Sequence, residues 1–224
     1  MKRKIFPVLI ALLLIILIAG SAIGVYVREK YAYGTDVMDL RTYFNVEEGR
    51  RAIYFQDERL AEKAVFQDGV CYLNYNFVKS YLNDDFYYDR EEKVILLTDA
   101  MGTFEAKVGE SAYRKYGEEV PFEGQVCYQG NDGLFLALPY VAIFLDFEYR
   151  LDEYRLQFLT NWEPYPAVTI LKETKIRYQG GIKSEILCDA AEGEQVRLLE
   201  ELESWSKVEN ENGVVGYVEN KFLS

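Results

Sequence analysis

The sequence predicts three parts in order: one membrane-spanning helix, an α+β domain written twice from a single β-α-β-β unit, and a small all-β barrel. Three observations carry that reading. An uncharged apolar run follows a basic N-terminus. A short aromatic-leucine pattern recurs at an offset of 63 residues, Leu73 to Leu136. After a proline-bearing break, the chain turns into short, evenly spaced strands.

The helix comes first. Lys2, Arg3 and Lys4 precede Ile5 to Val27, 23 residues without a charge. As a helix that run reaches about 34 Å, against a hydrocarbon core of about 30 Å. The basic flank predicts a cytoplasmic N-terminus and extracytoplasmic residues after Val27. A cleaved signal peptide is the rival, because "AGSA" (Ala19 to Ala22) offers small residues to a peptidase. The apolar run continues past that point, however, and is longer than the usual signal core. No lipobox cysteine follows it. The expectation is a retained anchor through residues 5–27, within a first segment of residues 1–27.

The rest of the chain is rich in strand-forming aromatics, with 19 Tyr and 13 Phe in a sequence that is 50% hydrophobic. That composition predicts folded, strand-rich material. The net charge of −12 argues against nucleic acid and against anionic lipid surfaces. There is no histidine. Ser-His-Asp and Cys-His nucleophile systems and every histidine metal site are therefore excluded. Cys71, Cys127 and Cys188 lack metal-type spacing and are odd in number, which predicts buried free thiols.

The repeat lies in residues 36–160. Leu73, Phe77, Val78, Tyr81 and Leu82 match Leu136, Tyr140, Val141, Phe144 and Leu145, and Leu97-Thr98 meets Leu159-Thr160 after one deletion. Each copy reads as a strand ("GVCYL", "GLFLAL"), a short helix and two more strands ("FYYD" and "KVILLT"; "FEYR" and "YRLQFLT") joined by acidic turns. Asn76 is expected to cap the first helix, and Pro139 to open the second. Phe77, Tyr81, Tyr140 and Phe144 form helical stripes expected to pack against a sheet. One copy cannot bury its helix face, so two share a core. "RAIYF", "KAVFQ", "TFEAKV" and "QVCYQ" add strands around and between the copies.

"NWEPYPA", residues 161–167, carries two prolines and is read as a short semi-rigid linker. Beyond it, in residues 168–224, "TKIRYQ", "SEILCDA", "EQVRLLEEL", "SWSKVEN" and "VVGYVENKFL" form five strands separated by turn residues, the pattern of a small barrel.

This last segment resembles the bacterial SH3-like domain, most specifically through "WSKVENENGVVGYVENKFL". The duplicated unit resembles the N-terminal domain of copper amine oxidases, which also occurs without copper chemistry in surface proteins of Gram-positive bacteria. The match is loose, and its proline survives only as Pro139. Anchor, duplicated domain and SH3-like module in this order resemble the N-terminal portion of certain clostridial family 18 glycoside hydrolases. Their catalytic motif D-x-x-D-x-D-x-E is not in this sequence, which stops just after its last strand. The resemblances imply no cofactor. They imply a non-catalytic module that contacts peptidoglycan, another cell-wall polymer or a surface protein. The alternative they imply is the targeting portion of a chitinase-like hydrolase with its barrel beyond Ser224.

Two sets of residues compete as functional candidates. Asp84, Asp85, Asp89, Glu91 and Glu92, with Asp146, Glu148, Asp152 and Glu153, could in principle pair as glycosidase carboxylates or hold Ca²⁺. They fall in turns, where acidic side chains are simply solvated, and no calcium-loop spacing is present. No catalytic and no metal residue is therefore expected. Tyr178, Trp205 and Tyr217 are the binding candidates, because SH3-like folds present aromatics in a groove where extended peptides dock. The competing expectation is that Trp205 and Tyr217 fill the barrel core. Gly216 is expected to permit a close approach of strands.

Overall fold

The computed structural model describes residues 2–159 and 165–224, so most of the expected linker, residues 161–164, lies outside the described residues. The chain forms two compact units, Asp39–Pro164 and a second that joins Met1–Met38 to Tyr165–Ser224. The second unit opens with helix α1, Lys2–Tyr31, with Arg28 and Lys30 in its last turn. Its stretch Leu12–Tyr31 has a mean hydropathy of 1.9 and buries nothing against the protein, and is long and apolar enough to cross a membrane.

Within Asp39–Pro164, a short helix α2 (Leu40–Phe44) starts where the Asp39 carboxylate accepts from the Thr42 amide. Three strands follow, β1 (Arg50–Phe55), β2 (Glu58–Gln67) and β3 (Val70–Asn74), then a helical turn α3 (Tyr75–Phe77) extended as a π turn through Leu82. β4 (Tyr87–Asp89), β5 (Val94–Thr98), β6 (Thr103–Lys107), β7 (Ala112–Lys115) and β8 (Glu118–Pro121) make a five-stranded meander. β9 (Cys127–Gly130), β10 (Gly133–Ala137), helical turn α4 (Leu138–Val141), β11 (Glu148–Leu151) and β12 (Arg155–Leu159) complete the unit. A seven-stranded sheet runs β11-β12-β1-β2-β3-β10-β9, with β1 and β12 parallel and the other pairs antiparallel.

The strand, helical turn and hairpin that follow β3 and β10 have the same order, but their hairpins diverge. β11–β12 returns to the sheet of β10, whereas β4–β5 begins the separate meander. The two helical segments are joined at their entrances, because Leu73 in β3 stands directly opposite Leu136 in β10. Both leucines are fully buried, in a core that draws Phe86 from just before the meander, Ile95 and Phe104 from within it, and Tyr140, Leu156 and Phe158 from around the larger sheet. The first helical turn is capped by Asn74, whose side chain accepts from the Asn76 amide at 2.9 Å. The cap is thus two residues earlier than expected, because β3 ends directly in the helix. Tyr81 is also corrected. It is 44% exposed and stacks on Phe77 at 5.1 Å, because the wider π turn rotates it off the buried face. Phe77 and Tyr140 are buried, and Pro139 sits in the first turn of its helix.

The C-terminal barrel has six strands, one more than expected: β13 (Ala167–Thr169), β14 (Thr174–Arg177), β15 (Ile186–Ala190), β16 (Gln195–Glu201), β17 (Trp205–Glu209) and β18 (Val215–Glu219). Their order is β13-β16-β17-β18-β14-β15. β13 begins inside the expected linker. Ala167 opposes Arg197, and the Pro166 carbonyl accepts from the Leu198 amide, so these residues belong to the sheet. The barrel core is aliphatic, built on Ile170, Ile176, Ala190, Val196, Val208 and Val218. Gly216 faces that core, where a Cβ would stand 2.6 Å from the Arg177 carbonyl oxygen and 2.6 Å from the Ile176 Cγ2. Only hydrogen fits there, which is the close approach expected for this glycine.

Candidate functional site

The barrel's β17–β18 hairpin separates two kinds of side chain by simple alternation. Ser206 and Val208 on one strand and Gly216 and Val218 on the other point inward and are buried. Trp205 and Lys207 alternate with them, as do Tyr217 and Glu219. The register pairs Trp205 with Glu219 and Lys207 with Tyr217. The two aromatics therefore stand half-buried on the outward face. The expectation that they fill the core is not met, because Ile170, Ile176, Ala190, Val196, Val208 and Val218 make it up.

The loop between β14 and β15 crosses this face. A Cβ at Gly180 would lie 3.3 Å from Trp205 Cβ and 3.6 Å from Tyr217 Cδ1, so the loop backbone packs directly on both rings. Tyr178 leaves β14 at the root of that loop, 44% exposed, with its amide donating to the Glu185 carbonyl. Trp205 and Tyr217 are brought together. Of the three candidates only Trp205 lines the cavity described next; Tyr217 stands beside it and Tyr178 at the root of the loop.

That cavity, of about 300 Å³, is lined by Trp205, Arg177, Glu219, Lys175 and Phe222 of the barrel and by Tyr33, Gly34 and Thr35 from just after α1. The N-terminal contribution was not visible in the sequence. The Tyr33 hydroxyl donates to Glu219 Oε1 at 2.5 Å and accepts from Lys221 Nζ at 2.9 Å. Lys221 also pairs with Glu219 at 2.6 Å. The Glu219 carboxylate and then the Tyr33 hydroxyl hold the Lys221 ammonium above its ordinary range. Arg177 is buried; its Nη1 donates to the carbonyls of Gly34 (3.0 Å) and Ser184 (2.6 Å), and its guanidinium lies 5.5 Å from the Tyr33 ring centre. Loss of water pushes its pKa down.

Residues 34–38 also extend the sheet. Gly34 donates to the Ile182 carbonyl at 2.6 Å, Ile186 to that of Asp36 at 2.7 Å, and Met38 to that of Ile186 at 2.8 Å. Val37 thereby bridges to Ile186 in parallel, and the free edge of β15 is covered. Gly34 is needed for the approach, since a Cβ would stand 3.0 Å from the Lys183 carbonyl oxygen. The only sequence signal was this glycine between a tyrosine and a threonine.

Two of the acidic candidates, Asp89 and Asp152, serve local structure. Asp89 accepts from the amides of Glu91 and Glu92 at 2.9 and 3.1 Å, tying the turn between β4 and β5. Asp152 pairs with Arg150 at 3.5 Å and with buried Arg155 at 3.3 Å. Among the described residues no group of three or more Cys, Asp or Glu is placed to hold a metal ion. Cys71 and Cys127 are buried and Cys188 half-buried, all three as free thiols that burial pushes up to about 12.

No curated protein and no solved structure matches the chain. A family model does: a bacterial SH3 domain is found at residues 172–224, the stretch that supplies Trp205, Tyr217 and Arg177 to this site.

Proposed function

We propose that this is a membrane-anchored, extracytoplasmic binding protein whose SH3 module contacts a peptide, either the stem of peptidoglycan or an extended segment of a surface protein. The observation that carries the reading is the outward pair Trp205 and Tyr217, beside a cavity in a domain of a binding-type family. Aromatic faces and backbone hydrogen bonds recognise an extended peptide without needing charge, which suits a chain of net charge −12. α1 supports the anchor, and its basic start supports an inside N-terminus. The facing leucines Leu73 and Leu136 support a duplicated origin for the repeat domain, as a local two-fold axis between two copies would place equivalent residues opposite one another. Its kinship to the copper amine oxidase N-terminal domain is part of the same proposal.

Co-sedimentation of the detergent-solubilised chain with purified peptidoglycan tests this directly. The expected result is pelleting that synthetic stem peptide competes away. Pelleting unaffected by peptide, or none with either peptidoglycan or detergent-extracted surface protein, would sink the reading. N-terminal sequencing of membrane-extracted protein should find Met1 or Lys2; a mature end near Ala22, with protein in the medium, contradicts the anchor.

A further inference from the structure

The repeat domain carries a second, chemically different groove. It has a volume of about 660 Å³ and lies between the start of α3, the strand β4 and the β9–β10 hairpin. Three tyrosines line it, Tyr75, Tyr87 and Tyr88, together with side-chain amides that include Asn76 and Gln129. Its charged lining residues are Lys79 and Arg90, and no carboxylate lines it. In a chain with 37 acidic and 25 basic residues, this is a local inversion of charge. Neither cation forms an ion pair among the described residues. Lys79 is instead held in place by the carbonyls of Asp84 (2.9 Å) and Phe86 (3.1 Å), and the Tyr75 hydroxyl donates to the same Phe86 carbonyl at 3.0 Å. The ammonium is thus positioned by uncharged groups and has a further N–H to give.

Tyr87 is 59% exposed although it belongs to a strand, and Tyr75 and Tyr88, which also line the groove, meet edge-to-face at 6.1 Å. An exposed tyrosine ring is a flat platform with little entropy to lose on binding. The fold does not require this chemistry. The residues that the repeat alignment sets against Asn74, Tyr75 and Asn76 are Ala137, Leu138 and Pro139, of which Ala137 and Leu138 are buried. The same element order packs that entrance shut in one half and leaves it open, polar and cationic in the other.

We propose that this groove binds a stretch of acidic glycan, with a sugar ring stacked on Tyr87, hydroxyls on the Asn76 and Gln129 amides, and carboxylates on Lys79 and Arg90. Each part is complementary to one feature of such a polymer. An arginine fork takes a carboxylate in bidentate fashion, amides exchange hydrogen bonds with hydroxyls in both directions, and a tyrosine face covers the C–H side of a pyranose. An acidic peptide satisfies the cations but leaves the platform and the amides unused.

The test titrates the detergent-solubilised full chain calorimetrically with oligogalacturonate, a neutral cello-oligosaccharide and poly-glutamate. Oligogalacturonate should bind, and more weakly as salt rises. Tyr87→Ala and Arg90→Ala should each weaken it about tenfold, as loss of one desolvated contact does. Tyr87→Phe should bind like the wild type, since the ring is kept, and its melting curve checks that the strand is intact. Trp205→Ala should bind oligogalacturonate unchanged, which separates this groove from the SH3 site. Equal binding of the neutral oligosaccharide, equal binding of poly-glutamate, no binding of oligogalacturonate, or indifference to Tyr87→Ala would each overturn the proposal.

Discussion

The two units use their aromatic residues in opposite ways. In Asp39–Pro164 the rings of Phe86, Phe104, Tyr140 and Phe158 are buried among other rings: Phe86 meets Tyr140 edge-on at 6.3 Å, Phe104 meets Phe144 edge-on at 4.7 Å and Phe158 meets Phe147 edge-on at 6.1 Å. In the barrel the core is made of Ile, Val and Ala, and the rings of Trp205, Tyr217 and Tyr178 stand outside it. Size explains the first half of this contrast. Two facing sheets enclose enough volume for large rings, whereas a six-stranded barrel closes on branched aliphatics. On the outer face of the barrel Trp205 and Tyr217 are half-buried beneath the β14–β15 loop at Gly180, and Tyr178 is 44% exposed, so part of each residue stays open to a partner.

Substitutions sharpen the contrast. The largest effect is expected where the repeat halves meet. Leu73→Ala and Leu136→Ala should each cost about 2–5 kcal/mol, since both leucines are fully buried and the neighbouring strands cannot close the cavity. Denaturant melts near wild type would break the account of a shared core. Next is Gly216→Ala, expected to cost about 1–3 kcal/mol through overpacking, because the added methyl meets backbone oxygen that cannot move aside. A smaller effect, of about 0.5–1.5 kcal/mol, is expected for Tyr33→Phe, which removes the hydroxyl shared by Glu219 and Lys221 on the barrel's surface. A change in melting midpoint of the barrel, read from Trp205 fluorescence, measures it; no change would mean that residues 33–38 do not hold to the barrel. Smallest of all is Tyr178→Ala. With 44% of this residue in water, stability should move by less than about 0.5 kcal/mol, while any part it has in peptide binding shows in the pelleting assay.

Much of this organisation was legible because local chemistry carried it. Pro139 was expected to open the second helical turn and does sit in its first turn, and the Asp68-Gly69 pair between β2 and β3, though not singled out from the sequence, has the chemistry of a tight hairpin with both φ positive. The hairpin β7–β8 turns on Tyr116-Gly117, again with both φ positive, but tyrosine is not a turn residue by propensity and the hairpin went unread. Long-range pairing was equally hidden. β1 and β12 lie side by side in parallel although about a hundred residues separate them, and no periodicity encodes a partner. At the candidate site, Trp205 and Tyr217 could be named from the resemblance to SH3-like domains, but which way they face depends on the register of two strands. The share of Tyr33 and Gly34 in that cavity depends on the N-terminal segment adding to β15 across some 150 residues, and a lone glycine does not name that partner.

The central claim is that the outward aromatic face of the barrel binds a partner and does not serve to hold the fold. Trp205→Ala in the full chain, followed by both a denaturant melt and peptidoglycan co-sedimentation, tests it most directly. The account predicts a loss of stability of less than about 1 kcal/mol, well short of a buried aromatic truncation, together with at least a tenfold drop in pelleted protein. A loss of about 3–5 kcal/mol with pelleting unchanged per folded molecule would make Trp205 a structural residue and contradict the claim.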